Sequence, residues 1–275
     1  MNKIYDCFTF YNELDLLEIR LEELYTTVDH FVLVEAAQTF TNRSKPFLFE
    51  ENKSRYSKWL DKIIHIKVDD MPGGSNPWLN EQHQRNAIMR GLVNANHKDI
   101  VIVSDCDEVL RASAVETIRN SNSPVFAFRM PLFNFKFNYM RTSPGEYDCW
   151  AMAAQKGIFD AHSPDVLRNQ RFNTMGFDIV EHGGWHFGYL GNNEYLRDKA
   201  QSFSHQEVNS PEFLAAIDVD QSIAERKEWD RNQANQYKIV ELNDYFPSTV
   251  SNYPEFILDN PEANAYNLLP PFLYK

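Results

Sequence analysis

Asp105 and Asp107 flank Cys106 and directly follow an apolar run at 100–103 and Ser104. In extended chain, residues two apart project to the same side, so both carboxylates can face one object while Cys106 points away. Two carboxylates at this spacing repel each other unless a cation lies near them, and their oxygens suit Mg²⁺ or Mn²⁺. The pair therefore predicts a metal site. The alternative is a pair of solvated turn carboxylates that cap the next helix.

A second cluster, the segment from His182 to Gly188, places glycines beside two histidines and a tryptophan. An imidazole together with the acidic pair would complete a Mn²⁺ site, which makes His186 a predicted ligand. Taken alone, such a histidine is more often a core or surface residue. Arg85 and Lys199 are cations that could neutralise a diphosphate, although helical arginines and lysines are mostly solvated.

The elements around these residues alternate between strands and helices. Short apolar runs predict strands at 4–10, 30–35, 62–68 and 99–104, and apolar positions at helical spacing predict helices near 12–24, 80–94 and from 113. This order is typical of a parallel sheet covered by helices. The acidic pair would then lie at the carboxyl end of a central strand, where such sheets bind ligands.

The second half of the chain is richer in β signals. Between 124 and 139 aromatic residues alternate with mostly polar ones, and 150–159 is a candidate partner strand. The aromatic face could bind an acceptor, but packing within a sheet is the commoner reason for such alternation. We also expect a charged helix at 221–238 and a C-terminal tail, from residue 253, that wraps the surface.

Composition excludes several classes of protein. The 275 residues are 43% apolar and 24% charged, as in a compact globular protein, and the formal charge is −12. Such a charge disfavours nucleic-acid partners. The three cysteines form no C-x-x-C pair, which argues against a disulfide framework or zinc cluster. We find no transmembrane segment or secretory signal and expect a cytoplasmic protein, with peripheral contact with a membrane left open.

Several segments, in this order along the chain, resemble glycosyltransferase family 17. They are 6–20, 32–36 with 39–41 and 45–46, 104–108, 126–130, 184–186 and 258–261. The resemblance implies a GT-A-like fold: an α/β, Rossmann-type mixed sheet flanked by helices, with a β-rich acceptor half. It suggests one domain over 1–275, divided into a nucleotide-sugar half at 1–123, an acceptor and metal half at 124–220, and a C-terminal helix and tail at 221–275.

The resemblance also implies a chemistry. The expected reaction is a metal-dependent, inverting transfer of a sugar, GlcNAc by family, from a UDP-sugar to a hydroxyl of a glycan or glycolipid, with Mn²⁺ or Mg²⁺ as cofactor. Asp107 is the expected direct metal ligand, Asp105 lies near the donor ribose or a metal-bound water, and His186 is a further ligand. The residues expected to contact the donor are Phe10, Asn12, Glu13, Glu35, Arg85 and Lys199.

The sequence does not single out the carboxylate that would take the acceptor proton. Glu181 and Asp178 lie just before the histidine cluster, and Glu146 and Asp148 lie after the aromatic stretch. We favour Glu181, with Asp178 as the second choice, while each of the four could equally be a solvated loop acid.

Two rival functions fit parts of the sequence. The segment Asp105–Val109 also matches the D-x-D-x-[TV] pattern of haloacid-dehalogenase-type phosphohydrolases, in which the first aspartate is a nucleophile. That motif would ordinarily follow the first strand, whereas here a whole βαβ region precedes it. The second rival is a non-catalytic carbohydrate-binding protein that uses the aromatic face.

Overall fold

The computed structural model describes residues 2–142, 147–229 and 236–262. Its strands are β1 (Ile4–Phe10), β2 (His30–Ala36), β3 (Ile63–Val68), β4 (Ile100–Asp105), β5 (Glu108–Leu110), β6 (Val125–Asn134), β7 (Tyr139–Arg141), β8 (Tyr147–Gln155), β9 (Asp178–Val180), β10 (Gly184–Gly188) and β11 (Tyr237–Ile239). Its α-helices are α1 (Leu14–Leu24), α2 (Leu48–Glu51), α3 (Pro77–Asn86), α4 (Ala112–Arg119), α5 (Pro164–Asn169), α6 (Asn193–Ser202), α7 (Pro211–Ala216) and α8 (Val219–Glu225). Short 3₁₀ helices include Ala87–Gly91 and Gln170–Phe172.

One mixed sheet runs through the molecule in the order β3-β2-β1-β4-β8-β6-β7-β11. The first four of these strands are mutually parallel, and β8 is antiparallel to both β4 and β6. The parallel strands are rich in Val, Ile and Phe because helices cover both of their faces. This arrangement confirms the expected α/β fold class with a β-rich second half.

Two apolar clusters lie on opposite faces of the parallel strands. On one face, Phe8 packs with the α1 residues Leu17 and Leu21. On the other, Cys7 packs with Ile88 and its neighbours. Since β6 and β8 continue the same sheet and contribute to the first cluster, residues 1–123 and 124–220 share one core. The division at residues 123 and 220 stays a prediction.

Strand β10 connects the acidic turn to the second half. It pairs antiparallel with β5 and parallel with β6, and its register places His186 opposite Glu108. The backbone amide of Phe187 also donates to the carbonyl oxygen of Asp107 at 2.8 Å. A residue far along the chain is thereby fixed beside the acidic pair.

Several predicted elements differ from those observed. The α3 helix begins earlier than expected, because the Asn76 side chain accepts from the amide of Trp78 and Pro77 occupies the first turn, and it ends at Asn86. The prediction of one helix at 221–238 is wrong. α8 ends at Glu225, Arg226 adopts a left-handed conformation, and 237–239 is strand β11. Within that span, 230–235 lies outside the described residues.

The aromatic stretch also departs from a single long strand. β6 ends at Asn134, and Phe135 has a φ of 65°. The four alternating aromatics, Phe133, Phe135, Phe137 and Tyr139, are all buried, so packing is confirmed as their role. Of the expected tail, 254–256 forms a 3₁₀ turn and 263–275 lies outside the described residues.

Gly184 lets β10 approach β5, and we expect its replacement to be costly. With φ at +156°, a Cβ there would lie 2.1 Å from the carbonyl oxygen of Val109. Gly184→Ala should therefore lower the free energy of unfolding by about 3 kcal/mol in urea titrations. Gly176→Ala is the control, because a Cβ at this position would meet nothing within 4 Å. This variant should lose only about 1 kcal/mol of unfolding free energy, from the strain of a positive φ. Equal losses in the two variants would contradict the close-approach argument.

Candidate active site

The acidic turn begins where β4 ends. Asp105 is the last residue of β4, Cys106 packs into the core with 2% exposure, and Glu108 opens β5. The side chains of Asp105 and Asp107 are 33% and 11% exposed. Both carboxylates line one cavity, as expected, but they do so across a turn at 106–107 and not along an extended strand. Cys106 borders the same cavity and packs into the core.

Arg20 of α1 holds this turn from inside the protein. Its side chain is fully buried and forms an ion pair with the buried Asp6. The same guanidinium donates to the carbonyl oxygens of Asp105 and Glu108 at 3.0 and 2.9 Å, and to the hydroxyl of Ser104 at 2.6 Å. One cation therefore fixes the backbone on both sides of the acidic pair.

Guanidinium groups face both oxygens of Asp105. Arg85 donates to Oδ1 at 3.3 Å and Arg168 to Oδ2 at 3.2 Å, and the Thr9 hydroxyl also donates to Oδ1 at 3.1 Å. Burial alone would raise the pKa of Asp105, but the two arginines hold it well below its usual value. A carboxylate with both oxygens in ion pairs has little capacity left for a metal ion.

Asp107 has a different environment. Its Oδ2 accepts from the Lys199 ammonium at 3.0 Å, and its Oδ1 lies 3.7 Å from Nε2 of His186. Burial opposes ionisation, yet Lys199 and then His186 lower the pKa of Asp107. Burial is also the main reason that the pKa of His186 falls to about 4, so the imidazole is neutral at pH 7. This leaves an ionised carboxylate beside a neutral imidazole.

That pair fits the donor set of a divalent cation. Ligands of Mg²⁺ lie about 2.1 Å from the ion, so two of them can be up to about 4.2 Å apart, a limit that the Asp107–His186 separation meets. The Nδ1 atom of His186 is buried without a hydrogen-bond partner. Within the described ranges, no group of three or more His, Cys, Asp or Glu residues could hold a metal. Substrate oxygens and water would have to complete the coordination.

The acidic turn forms part of a cavity of about 340 Å³. Its wall is built from the end of β1, the turn between β4 and β5, β10, and α6, and it includes the aromatic residues Phe10, Tyr11, Phe40, Trp78, Trp150, Tyr189 and Phe203. An apolar wall with a few convergent charged groups is typical of small-molecule sites.

Most of the predicted donor and metal residues line this cavity. They are Phe10, Glu13, Arg85, Asp105, Asp107, His186 and Lys199. Lys199 reaches Asp107 from α6, a helix that begins where the Asn192 side chain accepts from the amides of Glu194 and Tyr195. Residues that are distant in sequence therefore meet at the acidic turn.

Two predicted donor contacts lie elsewhere. Asn12 borders a separate cavity of about 750 Å³. Glu35 is fully buried, accepts from the amides of Leu48 and Phe49, and pairs with Lys45 at 3.1 Å. Since Lys45 itself lines the first cavity, Glu35 contributes by holding a wall residue rather than as part of the wall.

The residues predicted to act as base are not among those that line the cavity. Glu181 is 52% exposed and pairs with Arg129 at 2.6 Å, and Asp178 is exposed at the start of β9. Asp148 pairs with Arg141 at 2.9 Å, and Glu146 lies outside the described residues. The assignment of Glu181 as the base stays a prediction.

The family model described as Glycosyltransferase family 17 matches residues 1–271. The chain belongs to this family. The match confirms the predicted enzyme class, glycosyltransferase, and favours neither the phosphohydrolase nor the non-catalytic alternative. Among the described residues of this family 17 chain, no helix combines the length and the apolar character that a membrane crossing requires.

The similar curated proteins are all named beta-1,4-mannosyl-glycoprotein 4-beta-N-acetylglucosaminyltransferase. The Rattus norvegicus protein is 25% identical over 138 residues, the Homo sapiens protein 26% over 129, and the Mus musculus protein 24% over 196. These matches cover 46, 43 and 67% of this family 17 chain but only 26, 24 and 36% of the relatives. The chain thus spans about a quarter to a third of their length.

A solved structure, 4-diphosphocytidyl-2C-methyl-D-erythritol synthase, is also similar, at 11% identity and a TM-score of 0.39. That match covers 82% of the family 17 chain and 99% of the other chain.

Sequence reasoning missed several wall residues of the family 17 site. Arg171, Trp150 and Glu228 line the cavity, and Arg168 pairs with Asp105 from behind. They come from short helices, a strand and a loop with no motif or periodicity. The sequence shows only that charged residues are frequent in these segments, and this does not identify which side chains reach the cavity.

We expect Arg20 to be essential for the stability of the family 17 fold. Arg20→Ala leaves the buried Asp6 carboxylate without its cation and should lower the free energy of unfolding by about 3–5 kcal/mol. Arg20→Lys keeps the charge but loses the planar set of guanidinium donors, so it should lower the free energy of unfolding by less than Arg20→Ala does. Arg90→Ala, at an exposed pair with Asp70, should change stability by about 0.5 kcal/mol or less. Urea titrations would contradict this role if the Arg20 and Arg90 variants were equally stable.

Proposed function

We propose that this chain transfers a sugar, GlcNAc, from UDP-GlcNAc to a hydroxyl group of a glycan or glycolipid. The observation that carries the proposal is the meeting of Asp107, His186 and Lys199 at the wall of the cavity beside the acidic turn. Family membership and the names of the curated relatives support the reaction and the sugar.

The donor nucleotide would lie at the ends of β1 and β4. Phe10, Tyr11 and Phe40 supply aromatic surface on this part of the wall, and Asp105 supplies carboxylate oxygens at the end of β4. Rings of this kind can stack on a base, and a carboxylate can accept from ribose hydroxyls. The Arg85 and Arg168 pairs keep Asp105 ionised and oriented for this role.

The diphosphate would lie against Lys199 and Asp107. Burial alone would lower the pKa of Lys199, but Asp107 and Tyr195 raise it above its usual value, so this ammonium stays charged. It can stabilise the negative charge that grows on the leaving phosphate. A Mn²⁺ or Mg²⁺ ion held by Asp107 and His186 would supply Lewis-acid stabilisation of the same phosphate oxygens.

In a single displacement, the acceptor oxygen forms a bond to the anomeric carbon while the bond from that carbon to the phosphate oxygen breaks. The acceptor proton must pass to a base. We propose Glu228 as an alternative to Glu181, because it lines the cavity and its Oε1 accepts from the Asn134 side chain at 3.1 Å. Asn134 also donates to the Tyr237 hydroxyl at 2.7 Å, which fixes its orientation.

The donor and metal parts of the proposal are tested with a panel of nucleotide sugars in the presence of Mn²⁺ or of EDTA. UDP-GlcNAc should bind the wild type more tightly with Mn²⁺. Asp107→Asn should remove this gain, at least about tenfold in affinity, by isothermal titration calorimetry. The control is Asp160→Asn, at an exposed pair with Lys156. Equal affinities with and without Mn²⁺ would refute the metal, and failure of every nucleotide sugar to bind would refute the donor.

The two base candidates are separated by matched variants. If Glu228 is the base, Glu228→Gln should lower kcat about 10²–10⁴-fold while UDP binding stays unchanged. Glu181→Gln, at an exposed ion pair outside the cavity wall, should then keep its rate. The opposite pattern in steady-state kinetics would assign the base to Glu181 and reject Glu228.

A further inference from the structure

Arg171 lies at the cavity wall and forms no ion pair with any residue that the structure describes, although it is attracted by the more distant Glu108 and Asp105. It lies in the 3₁₀ helix Gln170–Phe172, and its guanidinium sits 5.5 Å from the ring centroid of Trp150 and 4.6 Å from that of Phe172. Its Nε atom is buried without a hydrogen-bond partner. The side chain thus presents donors that no described acceptor meets.

The neighbouring Arg85 and Arg168 also have a buried Nε without a hydrogen-bond partner, but they differ from Arg171 in forming ion pairs. Arg85 pairs with Glu81, Asp105 and Asp165. Arg168 pairs with Asp105 and Glu108. The nearby carboxylates are therefore already engaged, and burial followed by repulsion from Arg168 lowers the pKa of Arg171. Glu108 and Asp105 attract Arg171 and partly offset this effect. Because arginine keeps its proton in proteins, a charge without an ion pair among the described residues remains at the cavity wall.

Trp150 provides a second donor at the same place. Its Nε1 atom is also buried without a hydrogen-bond partner, and the residue lines the cavity. Its ring meets that of His186 edge-on, with 4.3 Å between centroids. Trp150 therefore connects Arg171 to the histidine beside Asp107. Two neighbouring groups at the cavity wall, one of them charged, thus have donor atoms that an oxyanion in the cavity could satisfy.

We propose that Arg171 and the indole N–H of Trp150 form an oxyanion subsite, which binds a phosphate or carboxylate group of a substrate. A planar guanidinium fork matches both groups, and its partly buried position strengthens the contact. The identity of the substrate rests on the proposed function. The oxyanion is either a phosphate of the nucleotide-sugar donor or an acidic group, such as a uronate, on the acceptor.

The test compares anionic probes with their neutral counterparts in the full-length chain. UDP is paired with uridine and glucuronate with glucose, and each is titrated by calorimetry into the wild type, Arg171→Gln, Arg171→Lys and the surface control Arg90→Gln. Loss of a charge-assisted contact should weaken one anionic probe about 10- to 100-fold in Arg171→Gln. The neutral probes and the control should be unaffected, and Arg171→Lys should recover only part of the affinity.

The two arms distinguish the sources of the oxyanion. Weaker UDP binding assigns the subsite to the donor phosphate, and weaker glucuronate binding assigns it to an acidic acceptor. The subsite is overturned if neither anion binds the wild type, or if Arg171→Gln binds both as the wild type does. Sugar transfer that persists unchanged in Arg171→Gln, together with unchanged affinities, rejects the subsite and leaves the proposed function standing. If glucuronate binding depends on Arg171 but no nucleotide sugar binds, the subsite is supported and the proposed function is rejected.

Discussion

The buried guanidinium of Arg20 is the constraint on which the site depends. A charge inside a protein is costly unless a counter-ion and hydrogen bonds replace its water, and Asp6, Ser104 and the carbonyl oxygens of the turn do so here. Because the carbonyls of Asp105 and Glu108 point inward to Arg20, the chain turns sharply at the end of β4. The carboxylates of Asp105 and Asp107 are left at the cavity wall. Helix α1 thereby sets the geometry of a turn some eighty-five residues away.

A second constraint brings the histidine to this turn. β10 runs between β5 and β6, and the close approach of Gly184 to Val109 allows the pairing that places His186 opposite Glu108. Gly188 has a similar role, since a Cβ there would lie 2.8 Å from Oδ1 of Asn134. Gly184 and Gly188 are thus requirements of strand packing. Asn134 in turn holds Glu228, so the spacing of these strands also shapes the proposed acceptor side.

The parts of the site that are local in sequence could be predicted, and the parts that depend on tertiary contacts could not. β1 and β4 follow from apolar runs, which place the acidic pair at the end of β4. The side chains of Asp105 and Asp107 face one cavity across a turn at 106–107, which the two-residue period of a strand does not predict. His186 was predicted as a ligand only by combining the histidine cluster with the acidic pair, and its position beside Asp107 depends on the register of β10. Arg171 and Glu228 belong to segments without periodicity, where a charged side chain says nothing about its partner. The expected helix at 221–238 failed for a related reason, because helix propensity is a weak prior that the left-handed Arg226 and strand β11 override.

The two aspartates of the D-x-D pair have different charged partners. Asp105 lies between Arg85 and Arg168, so its charge is neutralised by the protein itself. Asp107 faces one ammonium and one neutral imidazole, so a divalent cation would compete with Lys199 for the same carboxylate. Under the proposed function, a cation held by Asp107 and His186 would leave the Lys199 ammonium for the diphosphate, and both positive charges would act on the same part of the donor. A formal charge of −12 is therefore compatible with the anionic donor that we propose, because Arg85, Arg171 and Lys199 are concentrated at the wall of the cavity.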